Sequence, residues 1–161
     1  EIYEQTRGCM PEVLFIPVGN GTLLLGCYYG LLDLKRSGLI TEYPKIIAVQ
    51  AEGCSPIYKG YVNNSVVSET VNKGTKAEGI AIANPIRGNE VLTVIKELGG
   101  ETIIAPEDKI DYSRKILAQK GYYVEPTTAA TFAGFIKYTE ERAEILDKTV
   151  LIPLCGAGVK K

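Results

Sequence analysis

The chain has 161 residues, of which 45% are hydrophobic and 23% are charged, and a chain of this length ordinarily folds as one domain around one core. Its 18 Lys and Arg balance 19 Asp and Glu and leave a net charge of -1, without the basic block that binds nucleic acid or membrane surfaces. Because histidine is absent, a Ser–His or Cys–His catalytic pair is excluded within the chain. We therefore expect no nucleic-acid partner and no membrane partner.

The four cysteines do not indicate a metal site or a disulfide framework. They lie far apart in the sequence, at Cys9, Cys27, Cys54 and Cys155. None of them forms a C-x-x-C motif, and that motif is typical of zinc knuckles and redox pairs. No apolar run reaches the roughly 18 residues that a membrane span requires, and the N-terminus has no secretion-signal pattern. We expect no bound metal and a cytoplasmic location.

The first predicted elements are a strand, a glycine-rich turn and a helix. An apolar run at residues 13–18 predicts a strand buried on both faces. From Thr22 to Arg36 the leucines recur at helical spacing, and Ser37 and Gly38 are typical of a helix end. The turn between strand and helix is Gly19–Asn20–Gly21.

The middle of the chain continues the alternation of strands and helices. Residues 45–50 predict a second strand, and the polar residues 53–74 predict an irregular, mobile segment. Residues 89–98 predict a helix that ends at a glycine pair, and residues 101–105 predict a third strand that ends at a proline.

The last part of the chain predicts two helices and one strand. The helices are expected at residues 107–120 and from Thr127 or Thr128 to about residue 146, with a short extended stretch at 122–124 between them, and the strand is expected at 149–154. Because no hairpin signal interrupts the alternation, the sequence predicts an α/β fold. We expect a three-layer sandwich with a mainly parallel sheet, formed by residues 1–161 as a single α/β domain.

The turn after the first strand is a candidate anion-binding site. A glycine turn that leads into a helix presents unpaired backbone N–H groups, and phosphate is the usual ligand of such a turn. Gly19 and Gly21 permit positive φ and close backbone approach, Asn20 tolerates the left-handed conformation, and the Thr22 hydroxyl can cap the helix or contact a phosphate.

Other interpretations of this turn are open from the residues alone. The turn contains no lysine and fails G-x-x-x-x-G-K-S/T, which excludes a nucleoside-triphosphate loop. Leu24 stands where G-x-G-x-x-G requires its third glycine, so only Glu52 after the second strand supports a dinucleotide site. An ordinary strand-to-helix connection is equally compatible with the pattern.

Five segments, taken in order, resemble one enzyme family. They are residues 16–26, 48–54, 77–81, 124–130 and 152–160. Together they resemble the C-terminal half of threonine synthase and its relatives among the tryptophan-synthase-β-like (fold type II) enzymes, which use pyridoxal 5'-phosphate (PLP). The resemblance implies PLP as the cofactor, a small amino-acid substrate and a homodimer for the full-length protein.

The resemblance implies roles for particular residues. It places the PLP phosphate on the backbone amides of Gly19, Asn20, Gly21, Thr22 and Leu23. It also places Cys155 next to the pyridine nitrogen, where the family has a Thr or Ser, or in some serine dehydratases a Cys. Glu78 and Glu125 are candidates for the substrate pocket. From the residues alone, a buried structural cysteine and solvated or helix-capping carboxylates are the alternatives.

The family's Schiff-base lysine belongs to an N-terminal segment that nothing in this chain resembles. We therefore expect no catalytic residue within the chain, and we interpret it as a C-terminal fragment that lacks the lysine-bearing half. The complete enzyme is expected to convert O-phosphohomoserine and water into threonine and phosphate. The alternatives are elimination from serine or threonine by a dehydratase, a noncatalytic module that binds a phosphorylated metabolite, and a structural remnant.

Overall fold

Four parallel strands form one sheet in the order β3–β2–β1–β4. The computed structural model describes residues 1–159, so Lys160, the last residue of the fifth segment, lies outside the described residues. The strands are β1 (Val13–Pro17), β2 (Lys45–Ala51), β3 (Glu101–Ala105) and β4 (Val150–Leu151), and all pair in parallel. The predicted parallel sheet is confirmed. The last strand is shorter than predicted, because Pro153 has no amide to donate to a ladder.

Among residues 1–159, six α-helices connect or flank the strands. They are α1 (Ile2–Gln5), α2 (Thr22–Arg36), α3 (Pro56–Val62), α4 (Gly88–Glu97), α5 (Ile110–Gln119) and α6 (Pro126–Glu141). The prediction for α2 agrees with its observed bounds. Two other helices adjoin short 3-10 turns, at Glu107–Lys109 before α5 and at Ala143–Asp147 after α6, where the sequence pattern predicts unbroken helix.

Helix α3 corrects the prediction of an irregular segment at residues 53–74. Its first position is Pro56, and its N-cap residue Ser55 makes no side-chain capping bond. The cap comes instead from a strand, because Gln50 on β2 accepts hydrogen bonds from the amides of Ile57 and Tyr58. A cap supplied from another element leaves no local sequence signal.

The rest of that polar segment, residues 63–77, has no helix or strand but is bonded along its length. Lys73 N–H donates to Gly53 O at 2.9 Å. The Glu107 carboxylate accepts from the Thr75 hydroxyl at 2.7 Å and from Lys76 N–H at 2.6 Å. These bonds hold the segment across the carboxyl ends of β2 and β3.

The side chains of the strands alternate between two hydrophobic cores. Val13 and Phe15 of β1 face one core, which α5 and α6 cover. Leu14 and Ile16 of the same strand face the other core, which α2, α3 and α4 cover. This alternation follows from the two-residue period of a strand. Helices thus lie on both faces of the sheet, and the three-layer α/β fold is confirmed.

An ion-pair cluster joins the amino ends of β2 and β3 to α6. The Glu101 carboxylate accepts hydrogen bonds from Lys45 Nζ, from Arg142 Nη1 at 2.6 Å and from the Tyr138 hydroxyl at 3.1 Å. Burial raises the pKa of Glu101, but the bonds from Arg142 and Lys45 outweigh burial and hold that pKa below its ordinary value. The Glu101 side chain is 18% exposed, so solvent screens the cluster only in part.

We expect Glu101→Gln to lower the free energy of unfolding at pH 7 by about 1 to 2 kcal/mol, between the values for exposed and buried pairs. Because the folded-state pKa is depressed, this contribution is present above the unfolded-state pKa and is lost as the pH falls through the folded-state value. Urea unfolding between pH 7 and pH 3 measures both effects. The expectation would be contradicted if the wild type and Glu101→Gln differed in free energy of unfolding by the same amount at pH 7 and at pH 3.

Candidate functional site

The strand order creates a topological switch point between β1 and β4. The connections after β1 and β2 add strands on one side of β1, whereas the last connection places β4 on its other side. Ligands of open α/β sheets bind outside the carboxyl ends of the strands at such a point. The glycine turn, defined as residues 19–23, follows β1 at this edge, and the segment that contains Cys155 continues from β4 toward the same edge.

Hydrogen bonds tie down both ends of the glycine turn and leave its amides free. Before the turn, Val18 N–H donates to Val49 O at 2.9 Å, and after it Leu25 N–H donates to Gly21 O at 2.9 Å. Between these two bonds, the amides of residues 19–24 have no acceptor within the described part of the chain. Gly19 and Gly21 are nevertheless buried. Buried backbone amides without a partner are rare in proteins.

Glycine is required in the turn for conformation and for space. Gly21 precedes α2 with φ 89°, in the left-handed region, and a Cβ atom there would lie 2.1 Å from Val91 Cγ2. At Gly19 a Cβ atom would lie 3.0 Å from Ile82 Cγ1 and 3.2 Å from Gly79 O. The backbone of the turn is thus packed against α4 on one side and against residues 79–82 on another.

Glu78 lies on the segment that packs against the glycine turn. It begins the 3-10 turn Glu78–Ile80, and its side chain is exposed. The next residue, Gly79, fits closely against α6, because a Cβ atom there would lie 2.7 Å from Thr127 Oγ1. The structure therefore brings the third resembling segment, residues 77–81, into contact with both the glycine turn and the start of α6.

Glu125 and Cys155 come together at the amino end of α6. Glu125 is the N-cap residue of α6, and its N–H donates to Gly156 O at 2.9 Å. In the opposite direction, Gly156 N–H donates to Thr128 Oγ1 at 3.2 Å. A Cβ atom on Gly156 would lie 2.1 Å from the Glu125 carboxylate. The segment after β4 is thereby attached to α6, and Cys155 lies beside the Glu125 carboxylate.

Cys155 is an exposed residue, and its thiol donates to Pro153 O at 3.4 Å. Desolvation by the atoms packed around the sulfur raises the pKa of Cys155; a backbone hydrogen bond lowers it in part, and the nearby Glu125 carboxylate raises it further. A raised pKa favours the neutral thiol over the thiolate at neutral pH. The structural alternative of a buried cysteine does not describe Cys155, because the residue is exposed.

Gln50 is a polar residue at the site that the sequence analysis did not single out. It lies at the end of β2 with none of its surface exposed, and its amide reaches the residue before the glycine turn, donating to Val18 O at 3.1 Å. The sequence does contain a signal for it, because Gln50 stands inside the apolar run 46–51. A polar side chain in a buried strand is almost always hydrogen-bonded, so its position indicates a specific bonding partner.

No lysine among residues 1–159 is buried. In the same part of the chain, no group of three or more Cys, Asp or Glu side chains is arranged to hold a metal ion. A search of the described helices for one long and apolar enough to cross a membrane finds none.

Comparisons with known proteins identify relatives over almost the whole chain. Residues 1–156 match the family described as Pyridoxal-phosphate dependent enzyme. The chain is 30% identical to threonine synthase of Methanocaldococcus jannaschii and 32% identical to threonine synthase of Methanosarcina acetivorans, in each case over 99% of this chain and 40% of the relative. The chain therefore spans about 40% of the length of these curated relatives.

Solved structures share the fold. Maize serine racemase superposes with a TM-score of 0.76 at 17% identity, over 98% of this chain and 45% of that one. A processed threonine deaminase isoform from Solanum lycopersicum superposes with a TM-score of 0.74 at 23% identity, over 97% and 42% of the two chains. Since the family match extends over residues 1–156 and the fold agrees with it, this chain belongs to the family of pyridoxal-phosphate dependent enzymes.

Proposed function

We propose that the chain is the cofactor-phosphate-binding portion of a threonine synthase-like enzyme, and that the glycine turn holds the phosphate group of PLP. The observation that carries the proposal is the pair of buried glycines, Gly19 and Gly21, whose amides have no acceptor among residues 1–159. Burying an amide without a hydrogen-bond acceptor costs free energy, and a bound ligand can supply that acceptor.

The residues of the glycine turn suit a phosphate group in shape and in charge. Glycine at positions 19 and 21 lets the backbone of the turn pack closely against Val91 and against residues 79–82. The amides of Thr22 and Leu23 begin α2, a helix of 15 residues whose dipole favours an anion at this end. The site also lies at the switch point, where a fold of this class binds its ligands.

Beyond the phosphate group, the proposed contacts come from three side chains. When bound, PLP supplies an electron-withdrawing ring that stabilises negative charge on the substrate. The Cys155 thiol is proposed as the partner of the ring nitrogen; its raised pKa keeps it neutral, so it does not impose a proton on that nitrogen as a carboxylate would. Glu78 and Glu125 are proposed to line the substrate part of the pocket.

The proposed reaction is that of threonine synthase, because both methanogen relatives carry that name at 30% identity or more. O-phosphohomoserine and water would give threonine and phosphate in the protein where this chain works together with a lysine-bearing portion. The second candidate is elimination from serine or threonine. Cys155 favours it, since some serine dehydratases resemble this chain in carrying cysteine at that place. A homodimer and a cytoplasmic location stay predictions.

We expect inorganic phosphate and PLP each to shift the backbone amide resonances of the glycine turn in ¹H–¹⁵N NMR spectra of the 161-residue chain. An anion that accepts from these amides deshields them, whereas pyridoxal, which lacks the phosphate group, should leave them unshifted. The amide of Gly38 is the internal control, because it already donates to Lys35 O at 3.0 Å. If the amide resonances of residues 19–23 shift no more than that of Gly38 at saturating phosphate, the proposed phosphate site is wrong.

A further inference from the structure

Gln50 connects the strand before the glycine turn to the amino end of α3. Its side-chain Oε1 accepts from Ile57 N–H at 2.9 Å and from Tyr58 N–H at 3.0 Å. Its Nε2 donates to Val18 O at 3.1 Å. The orientation of the amide follows from these contacts, because a flipped side chain would set two donors against two donors and an acceptor against an acceptor.

The bond to Val18 O determines which way the first amide of the turn points. Val18 C=O and Gly19 N–H belong to one peptide group, and every described peptide bond is trans. In a trans peptide the carbonyl and the N–H point in opposite directions. Because Gln50 holds the carbonyl on its own side, Gly19 N–H points away from Gln50 and from α3.

The other bonds of Val18 leave this peptide group no alternative orientation of similar energy. Val18 N–H is already bonded to Val49 O at 2.9 Å, and the Val18 side chain is fully buried in the core that α2 and α4 cover. A rotation of the Val18–Gly19 peptide group would break the Gln50 bond and leave two buried polar groups unpaired.

We propose that Gln50 is a positioning residue for the phosphate site: it sets the direction of the Gly19 amide before any anion is bound. The inference rests on the proposed function, since it assigns the Gly19 amide to the phosphate group of PLP. Preorganisation of this kind spares the ligand the cost of reorienting the peptide group. Gln50 does so from a position that is wholly buried and does not itself contact the phosphate.

Two variants separate positioning of the turn from capping of α3. In Gln50→Glu the side chain can still accept from Ile57 and Tyr58, but only its neutral acid, which burial favours, can also donate to Val18 O; the ionised carboxylate at higher pH has no proton to donate. In Gln50→Met both kinds of bond are lost at nearly constant volume. We expect Gln50→Met, and Gln50→Glu at a pH where its carboxyl group is ionised, to bind PLP and phosphate about tenfold more weakly than the wild type at the same pH. The binding is measured by titration of the glycine-turn amide resonances.

A third measurement uses the wild type alone. Hydrogen bonds on either side of one peptide group polarise each other, so an anion that binds Gly19 N–H should strengthen the bond between Val18 O and Gln50. The side-chain NH₂ resonance of Gln50 should therefore shift during the phosphate titration, with the same dissociation constant as the Gly19 amide. This readout does not depend on the folding of any variant.

The outcomes distinguish the inference from the proposed function. Tenfold weaker binding by ionised Gln50→Glu, together with the coupled shift of the Gln50 resonance, supports the positioning role. If Gln50→Glu still binds as the wild type does above the pH at which its carboxyl group ionises, and only Gln50→Met is weakened, Gln50 serves only to cap α3 and the inference is wrong. A Gln50 resonance that stays still while Gly19 titrates also overturns it. If no turn amide of the wild type responds to phosphate or PLP, the proposed function fails first, and the inference with it.

Discussion

Replacing Gly21 with alanine is expected to lower the free energy of unfolding by about 2 to 5 kcal/mol and to abolish phosphate binding. The backbone of Gly21 has φ 89°, which costs a residue with a Cβ atom about 1 to 2 kcal/mol. The new methyl group would also lie 2.1 Å from Val91 Cγ2, and Val91 is fully buried, so crowding adds about 1 to 3 kcal/mol. Relief of either strain moves the backbone amides of the turn that are proposed to bind the phosphate.

Gly26→Ala is the matched control for this variant. Gly26 lies in α2, the helix that Gly21 precedes; it is exposed and has open space where a Cβ atom would be. Alanine in a helix interior is about 0.5 to 1 kcal/mol more favourable than glycine, so this variant should be slightly more stable than the wild type and should bind phosphate normally. Urea unfolding and the amide titration together measure both variants. If Gly21→Ala and Gly26→Ala behave alike, the packing account of the turn is wrong.

The second large effect concerns catalysis. The 161-residue chain by itself is expected to turn over neither O-phosphohomoserine nor serine nor threonine. The reason is that no lysine among residues 1–159 is buried, whereas a lysine that forms an imine with PLP at neutral pH needs a desolvated or electropositive setting to lower its pKa. Treatment with PLP and borohydride, followed by peptide mass spectrometry, should show no single preferred lysine.

A chimera supplies the positive arm of that experiment. Residues 1–156 would replace the matching segment of Methanocaldococcus jannaschii threonine synthase, to which the chain is 30% identical. We expect the chimera to bind PLP covalently and to form threonine from O-phosphohomoserine at a higher rate than it forms 2-oxo acids from serine or threonine. A chimera that prefers elimination would favour the dehydratase alternative. One strongly labelled lysine in the chain alone, with turnover, would contradict the proposed division of roles.

The alternation of elements and the glycine turn could be predicted because their signals are local. The apolar run before Gly19 and the leucine spacing of α2 follow from the periods of a strand and a helix, and α2 begins and ends where its turn chemistry indicates. The absence of histidine and the net charge of -1 likewise follow from the composition alone. The resemblance of five ordered segments then indicated the family that residues 1–156 match.

Only the tertiary structure decided which residues meet. The position of β4 beside β1, which creates the switch point, depends on a crossover that passes over the opposite face of the sheet from α2. The cap of α3 and the orientation of the Gly19 amide both come from Gln50, which is 32 residues from Val18 in sequence. The ion-pair cluster joins Glu101 to Arg142 across 41 residues. Sequence patterns encode the face of a helix or strand on which a side chain lies. Which residue of another element it contacts is decided by the packing of the whole core, because such a contact is stable only when both elements are in place.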